Sequence, residues 1–427
     1  MTELIGEKGI SVLKRPGTAA IVAIVIRAVV AWQRGTIAAP EPYETERIVR
    51  NWLAGRGFTH VFLGTTYRSF HSLLPYDLLT AAVYSVTGGS QTAMLCMQWV
   101  CSALLVLVIG RLGQRLVGSG GVAFAVWLVA FHPGLIVYDA TKLQQISFDA
   151  LLVAGGVLAF VRWAESPSVM RSAVAGLLTG LLMYERGTMA LFFPVAALWV
   201  KRVSGLSWAQ WGRQATPYVV VASLVVLPWT VRNVLVHRRF VPMMTTTWMA
   251  LWKGNNEITI GTEYVGHETI LVHLPAPLHE AIGGATELQQ MDAFRAAALQ
   301  FIRQHPEGVL RLFFQKLRFF WWRSPHTGLL YSGTWMSAYQ AWYLFFIGWA
   351  LVGTRVLVNG DQQGWAIGRL ILWLAVLFSA GQCVFYVAGR HRFTIEPMLA
   401  LLSATGLSWM WQRCVVLMGK GRVTARC

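Results

Sequence analysis

The sequence has few charged residues for its length. Asp, Glu, Lys and Arg make up 13% of the 427 residues, whereas a soluble protein carries about a quarter. Hydrophobic residues make up 55%, and runs such as 122–137 and 218–231 contain no charged residue at all. Because these runs have no polar face, they suit a bilayer and not a soluble core. The composition therefore excludes a soluble globular protein and indicates an integral membrane protein.

Cysteine is also scarce, and acidic residues are few. The five cysteines are Cys96, Cys101, Cys383, Cys414 and Cys427. The first four lie in or beside apolar segments, so we expect no disulfide framework. Lys and Arg number 36 against 19 Asp and Glu, which gives a net charge of +17. No nucleic-acid-binding motif accompanies this charge; we attribute it to the positive-inside rule and to contact with anionic membrane lipids, and expect no nucleic-acid partner.

Hydropathy predicts an all-α, polytopic membrane protein of about ten transmembrane helices. The spans are placed near 17–33, 92–110, 119–138, 146–162, 172–184, 187–200, 214–231, 336–357, 367–388 and 395–412. The first follows Lys14 and Arg15, which is typical of an uncleaved signal anchor. The apolar stretch 73–88 is ambiguous. If it lies in the outer interface of the membrane, the basic residues that flank most spans all fall on the cytoplasmic side, as the positive-inside rule requires. We therefore expect a bacterial cytoplasmic membrane protein with both termini in the cytoplasm.

This topology leaves two long outward loops and divides the chain into three parts. Residues 1–231 form an N-terminal transmembrane module that includes the first outward loop, 34–91. Residues 232–335 form the second outward loop, which faces the periplasm or exterior and contains amphipathic helices at 286–304 and 307–322. Residues 336–427 supply C-terminal transmembrane helices and a basic cytoplasmic tail.

Several basic residues oppose the positive-inside rule because they lie at the outward ends of spans. They are Lys142, Arg186, Arg232, Arg390 and Arg392. Spans packed in one bundle bring these ends around a single outward cavity, where Arg and Lys are suited to binding phosphate. The alternative is that each is a solvated or snorkelling head group. For Arg27, inside the first span, snorkelling is the favoured interpretation.

Two acids follow the first span on a predicted short helix, where a carboxylate can deprotonate an incoming hydroxyl group. They are Glu44 and Glu46. The alternative is that they only form ion pairs with Arg47 and Arg50, one helical turn later. Composition alone favours that alternative.

Four segments then resemble a known family. The first reads YETERIVRNWLAGRGF at 43–58, and the second is Pro75-Tyr76. The third reads PWTVRN at 228–233 and continues to LWKGNN at 251–256. The fourth places Tyr386 before RHRFTIEP at 390–397. With these motifs the chain resembles bacterial GT-C glycosyltransferases of the family 39 type, relatives of protein O-mannosyltransferases and of the lipid A aminoarabinose transferase.

The resemblance implies an inverting transfer of sugar from a polyprenyl-phosphate donor to a glycolipid, glycan or protein acceptor on the outer membrane face. The general base of the family corresponds to Glu44, with Glu46 as second choice. Expected substrate-binding residues are His71, Trp252, Asn255, Asn256 and His391, although Trp252 can also serve packing and the two Asn residues equally suit turns. The acid that many relatives have after the third span is missing from TKLQQ at 141–145. We therefore favour metal-independent chemistry and leave a divalent cation open.

Two other interpretations remain. One is an O-antigen ligase or polymerase type of transferase, which uses a pyrophosphate-linked glycan. The other is a lipid-linked sugar flippase or transporter, which would place charged or broken helices near the membrane midplane. The ionisable residues of this sequence collect at span ends, which argues against transport.

Overall fold

The computed structural model describes residues 15–325 and 333–424, and helices dominate it. The helices are α1 (Pro16–Arg34), α2 (Glu44–Leu53), α3 (Pro75–Thr87), α4 (Gln91–Leu116), α5 (Gly118–Ala130), α6 (Pro133–Thr141), α7 (Ile146–Glu165), α8 (Val169–Glu185), α9 (Phe192–Ser204), α10 (Trp208–His237), α11 (Thr247–Gly254), α12 (Ala276–Ile282), α13 (Glu287–Gln304), α14 (Pro306–Trp321), α15 (Gly333–Val358), α16 (Gln362–Val384) and α17 (Glu396–Thr424). Short 3₁₀ turns cover Gly187–Met189, Ile270–His273 and Gly389–Thr394. Lys14, part of the predicted signal anchor, lies outside the described residues.

Strands occur only as two small antiparallel hairpins within the described ranges. One pairs β1 (His60–Phe62) with β2 (Thr65–Tyr67) in the first loop. The other pairs β3 (Tyr264–Val265) with β4 (Glu268–Thr269) in the second loop. The fold class is therefore all-α, as predicted.

Six of the described helices are long and apolar enough to cross a membrane: α1, α4, α7, α10, α15 and α16. The predicted span 119–138 is instead a bent pair, in which α5 and α6 meet at 42°. Pro133 begins α6 and keeps His132 in an extended conformation, so the helix breaks there. The pair counts as a seventh span if both halves cross together.

The remaining predicted spans lie on α8, α9 and α17, which do not meet the same test of length and hydropathy. The helices α8 and α9 have 17 and 13 residues, and a helix needs about 20 residues to cross the hydrocarbon core. The helix α3, which covers the ambiguous stretch 73–88, has 13 residues and is also too short to cross alone. The polytopic helical architecture is confirmed, with six or seven self-sufficient spans where ten were predicted.

Glycines allow close contact between the helices α8 and α10. A Cβ added to Gly176 on α8 would lie 2.3 Å from the backbone oxygen of Tyr218 on α10, and one on Gly180 would lie 2.6 Å from Val225 Cβ. Spaced four residues apart, the two glycines let the backbones of α8 and α10 approach directly, as small residues commonly do in membranes.

The prediction that the Arg27 side chain snorkels to the membrane surface was wrong. Its side chain is only 1% exposed, and Nε donates to Asp139 Oδ2 at 2.7 Å. A second nitrogen donates to the backbone oxygen of Ala23 at 3.0 Å. Asp139 also accepts hydrogen bonds from Ser102 and Ser147. A charge inside the bundle needs such a partner, because unpaired it would lose its hydration without compensation.

We therefore expect Arg27→Met to destabilise the protein strongly, by about 3–5 kcal/mol, because it leaves the Asp139 carboxylate buried and unpaired. Thermal unfolding of the purified protein in detergent measures the effect. The double variant Arg27→Met/Asp139→Asn should recover part of the loss. An Arg27→Met protein that unfolds at the wild-type temperature would contradict a structural ion pair.

Both loops gather at one end of the bundle, which we call the loop end: α1, α8 and α16 finish there, and α4 and α7 begin there. A parallel β-bridge joins Glu41 in the first loop to Lys142 after α6. The Ser72 hydroxyl donates to the backbone oxygen of Tyr184 at the end of α8. The Thr245 backbone N–H of the second loop donates to the Ser69 oxygen at 2.9 Å. These bonds fix both loops to the helix ends.

Candidate active site at the loop end

Glu44 lies in the first turn of α2 with its side chain exposed. Ile48 and Val49, one turn further along α2, are fully buried, so the helix packs on the bundle there while Glu44, at its first residue, stays accessible. No Lys, Arg or His of the described residues lies within ion-pair distance of its carboxylate. Its charge acts on Lys253 and Tyr386, so the three groups lie near one another. The structure thus gives Glu44 no structural ion pair.

Glu46 has a different environment. It is buried and forms an ion pair with Arg50, one turn later on α2. It also accepts a hydrogen bond from Gln91 Nε2 at 3.0 Å, at the start of α4. Arg50 in turn stacks over the Tyr84 ring and donates to the oxygen of Gly89. Glu46 therefore joins α2 to α3 and α4, which is the pairing that the sequence left as the alternative to catalysis.

Arg390 and Lys253 bring two cations to the same region as Glu44. The Arg390 guanidinium lies 2.9 Å from the Glu263 carboxylate of the second loop. The Lys253 ammonium lies 5.4 Å from the centre of the Tyr386 ring, and within the described residues it has no carboxylate at ion-pair distance. Lys253 sits at the end of α11, whereas Arg390 follows α16. Tertiary structure therefore assembles this site from both loops and the last third of the chain.

Electrostatic coupling connects these groups. Burial lowers the pKa of Lys253 below its ordinary value, and the nearby carboxylates of Glu263 and Glu44 oppose that shift. Burial alone would raise the pKa of Glu263, but Arg390 and Lys253 hold it below its ordinary value. Glu263 therefore stays ionised at neutral pH. The single carboxylate of Glu263 thus faces the two cations Arg390 and Lys253, so this part of the site has a net positive charge.

Arg186 and Lys142 border this region, and each already has an acidic partner. Arg186 pairs with Asp149 at 2.5 Å, at the start of α7. Lys142 pairs with Glu41 and also donates to the Tyr43 hydroxyl at 3.0 Å. The first contact orders the end of α8, and the second holds the first loop against the end of α6. A role for either residue in donor binding stays a prediction.

Arg232 lies in a separate polar cluster. It donates to the Ser69 hydroxyl and to the oxygen of Arg68, both at 2.8 Å, and it lies over the Trp229 ring. Ser69 also bonds to Asn233 and, through its backbone N–H, to Glu287 of α13. These contacts join α10, the first loop and the second loop. Direct binding of phosphate by Arg232 stays a prediction.

Arg392 is buried in a further network. It pairs with Glu396 at the start of α17 and donates to the Tyr339 hydroxyl at 2.7 Å and to the backbone oxygen of Phe320. The same Glu396 carboxylate contacts His132, the residue at the bend between α5 and α6. The guanidinium is thus used to hold α14, α15 and α17 together.

His71 and Trp252 occupy different parts of the loops. His71 Nδ1 lies 2.7 Å from the Ser72 oxygen and 3.5 Å from the Asp77 carboxylate that caps α3. The indole of Trp252 is 2% exposed and packs against Phe294 of α13, in an apolar core of the second loop. Packing therefore accounts for Trp252, and substrate contact by His71 stays a prediction.

The two asparagines of the LWKGNN segment are engaged in local structure. Asn255 donates to the backbone oxygen of Val384 at 2.8 Å and accepts a hydrogen bond from Lys316 at 3.0 Å. Asn256 accepts from two backbone N–H groups of the turn that follows it. They hold α11 against the end of α16 and so position Lys253, which precedes them. Sugar binding by either amide stays a prediction.

His391 lies beside the cations. It is buried, and its ring centre is 5.6 Å from that of Tyr386. Burial, with Arg390 and Arg186 nearby, lowers the pKa of His391 well below its ordinary value, so the imidazole is neutral at physiological pH. Its Nδ1 caps the turn at Ala388 with a 3.3 Å contact.

A pocket with largely apolar walls adjoins Arg390. Its aromatic lining includes Tyr138, Tyr264, Trp335 and Phe393, which come from four separate segments. Arg390 and Glu263 stand at its polar edge. The pocket therefore offers a hydrocarbon surface next to a pair of charged groups.

Sequence reasoning missed part of this site. Lys253 was not among the predicted site residues, although it stands inside the matched LWKGNN segment. Glu263 lies in irregular chain with no motif around it, and only folding brings it to Arg390. Among the described residues, no group of three or more His, Cys, Asp or Glu side chains is arranged to hold a metal ion.

Comparison with solved structures finds the same architecture elsewhere. The Archaeoglobus fulgidus oligosaccharyltransferase, solved in complex with Zn and sulfate, matches with a TM-score of 0.52 and 12% identity, over 94% of this chain and 51% of that one. ArnT from Cupriavidus metallidurans bound to undecaprenyl phosphate gives 0.43 and 14%, over 91% and 77%. Its apo state gives 0.38 and 16%, over 92% and 78%.

The match to the oligosaccharyltransferase establishes the fold. No protein-family profile matches the sequence, and no curated protein matches it. The chain spans about half the length of the oligosaccharyltransferase, and at 12% identity the likeness is one of architecture. The bundle of membrane helices has the GT-C-type fold that the motifs predicted.

Proposed function

We propose that this protein is an inverting glycosyltransferase that takes a sugar from a polyprenyl-phosphate donor at the loop end of the bundle. The observation that carries the proposal is an accessible carboxylate, Glu44, which has no ion pair among the described residues and whose charge acts on the cation Lys253 and on Tyr386, a residue that Arg390 also influences. A transferase of this kind needs a base for the acceptor and positive charge for the departing phosphate. The fold shared with an oligosaccharyltransferase supports the same class of reaction.

The acceptor half of the reaction belongs to Glu44. Its carboxylate takes the proton of the acceptor hydroxyl as the oxygen attacks C1 of the sugar. The new C1–O bond forms on the face opposite the phosphate, so the anomeric configuration inverts. The proton then resides on Glu44 and passes to solvent, to which the side chain is open.

The donor half belongs to the cations. As the old C1–O bond breaks, its electron pair moves to the phosphate oxygen, and negative charge builds on the leaving group. Arg390 and Lys253 stabilise that charge more than the ground state because they are held in place before the reaction. Glu263 fixes the direction of the Arg390 guanidinium through its 2.9 Å contact. Arg186 adds positive charge at the border of the site.

The pocket beside Arg390 supplies a place for the first isoprene units of the donor. Tyr138, Tyr264 and Trp335 line it with aromatic surface, and its polar edge is the Arg390–Glu263 pair. A lipid whose tail fills this pocket carries its phosphate to the guanidinium. We further propose that this end faces the periplasm or exterior, that both termini are cytoplasmic, and that 1–231, 232–335 and 336–427 act as the units named above.

The decisive experiment measures donor consumption by the purified protein. Mass spectrometry should show a polyprenyl-phosphate sugar converted to free polyprenyl phosphate, with the sugar on an acceptor present in a membrane extract. Consumption of only pyrophosphate-linked glycans would instead identify a ligase or polymerase. Movement of intact donor across a vesicle membrane without cleavage would identify a flippase. Either result would overturn the proposal.

A further inference from the structure

A second cleft lies at the end of the bundle opposite the loop end. It opens between the end of α7, the end of α9 and the beginning of α16. Its polar wall carries Arg202, Arg369 and Gln362, and its apolar wall carries Val161, Trp199 and Ile367. It shares no lining residue with the pocket beside Arg390. The cleft is therefore distinct from the proposed active site.

The two arginines of this cleft lack acidic partners. Within the described ranges, neither Arg202 nor Arg369 has a carboxylate at ion-pair distance. Arg369 Nε is buried and has no hydrogen-bond partner among those residues. Glu165, the acid that lines the cleft, is bound to Arg115 at 2.8 Å. The cleft thus has uncompensated positive charge, and one buried donor is directed to no protein acceptor.

The walls hold their shape through backbone contacts. The Trp199 indole donates to the backbone oxygen of Ala366 at 2.9 Å, which ties α9 to α16. Arg369 lies 5.7 Å from the centre of the Trp365 ring, which keeps its guanidinium near the cleft. On the outer side of α9, Leu198 and Val203 are 47% and 39% exposed. The positive cleft is therefore continuous with an apolar surface of the bundle.

We propose that this cleft binds the phosphate headgroup of an anionic phospholipid, whose acyl chains lie along the exposed side of α9. Guanidinium groups bind phosphate oxygens with paired hydrogen bonds, which would satisfy the free Arg369 Nε. Basic clefts between membrane helices are typical headgroup sites. The lipid joins the ends of α7, α9 and α16. It stabilises the folded bundle because it binds that state alone.

Native mass spectrometry of the full chain in detergent tests this site, with phosphatidylglycerol and phosphatidylcholine as probes. We expect one tightly held phosphatidylglycerol, and we expect R202Q/R369Q to bind it at least about tenfold more weakly. The matched control is K201Q, because Lys201 is adjacent in sequence but lies over the Trp208 ring, 4.1 Å from its centre, and does not line the cleft. R202K/R369K keeps the charge and should retain most of the binding.

Thermal unfolding supplies a second measurement. Phosphatidylglycerol should raise the unfolding temperature of wild type and K201Q but not of R202Q/R369Q. Equal binding of phosphatidylcholine, unchanged binding by the double variant, or an equal loss in K201Q would overturn the site. Protection by inorganic phosphate without lipid would identify a soluble anion as the occupant and overturn it too. Because the measurements report binding, they are independent of sugar transfer.

Discussion

Replacing Glu44 by Gln should reduce sugar transfer by about 10²- to 10⁴-fold, which is the usual contribution of a general base. Gln has nearly the same shape but cannot accept the proton of the acceptor hydroxyl. Since Glu44 is exposed and has no ion pair, the variant should unfold at the wild-type temperature. Initial rates with a polyprenyl-phosphate sugar measure the first effect, and thermal unfolding measures the second.

The same substitution at two other glutamates distinguishes a catalytic effect from a structural one. Glu46→Gln weakens the ion pair between the buried Glu46 carboxylate and the partly exposed Arg50, and it should lower stability with a smaller effect on the rate of the folded enzyme. Glu268→Gln, whose side chain is 61% exposed beside His273 in the second loop, should leave both quantities unchanged. Near-normal turnover in Glu44→Gln, or a loss of activity only in Glu46→Gln, would remove Glu44 as the base.

Replacing Arg390 by Ala should lower turnover by about 10²- to 10³-fold and weaken donor binding. The change removes the guanidinium that we propose binds the leaving phosphate, and it leaves the Glu263 carboxylate to repel that phosphate. Arg390→Lys keeps the charge but loses the forked geometry, so its activity should lie between wild type and Arg390→Ala. Rates at varied donor concentration give both kcat and KM.

Alanine variants of Arg239 and Arg232 serve as controls for Arg390→Ala. Arg239 forms a surface pair with Asp292, so Arg239→Ala should leave donor dependence intact. Arg232 joins α10 to both loops, so Arg232→Ala should lower stability more than donor affinity. If donor dependence were unchanged in Arg390→Ala and impaired in Arg232→Ala, the phosphate would bind at the Arg232 cluster.

The sequence predicted most of the helices because hydropathy is a local property. The amphipathic pair α13 and α14 lies within one residue of its predicted bounds, and the short helix predicted in the first loop is present at Glu44–Leu53. The bend at His132 was not predicted, because averaging hydropathy over a long apolar run hides a single proline, Pro133. Fewer helices of the described residues are long and apolar enough to cross alone than the ten spans predicted, because short buried helices such as α9 are as apolar as those that cross alone.

Ion pairs between distant residues could not be predicted from the sequence. Arg27 pairs with Asp139, which is 112 residues away in the sequence, and no local sequence pattern predicts that contact. Lys142 and Arg392 look like free cations in the sequence but form ion pairs with Glu41 and Glu396; their binding of the donor phosphate stays a prediction.

By itself, the sequence determined that this chain lies in a membrane, where most of its helices run, and that acids and cations stand at helix ends. These properties follow from the free energy of transferring each segment into lipid, which depends on that segment alone. The tertiary structure decided which charges form buried ion pairs and which, like Glu44 and Lys253, have no ion pair among the described residues and are therefore proposed to act in the reaction. That choice depends on distances between segments far apart in the chain, because a charge inside the bundle is stable only where folding brings a partner to it.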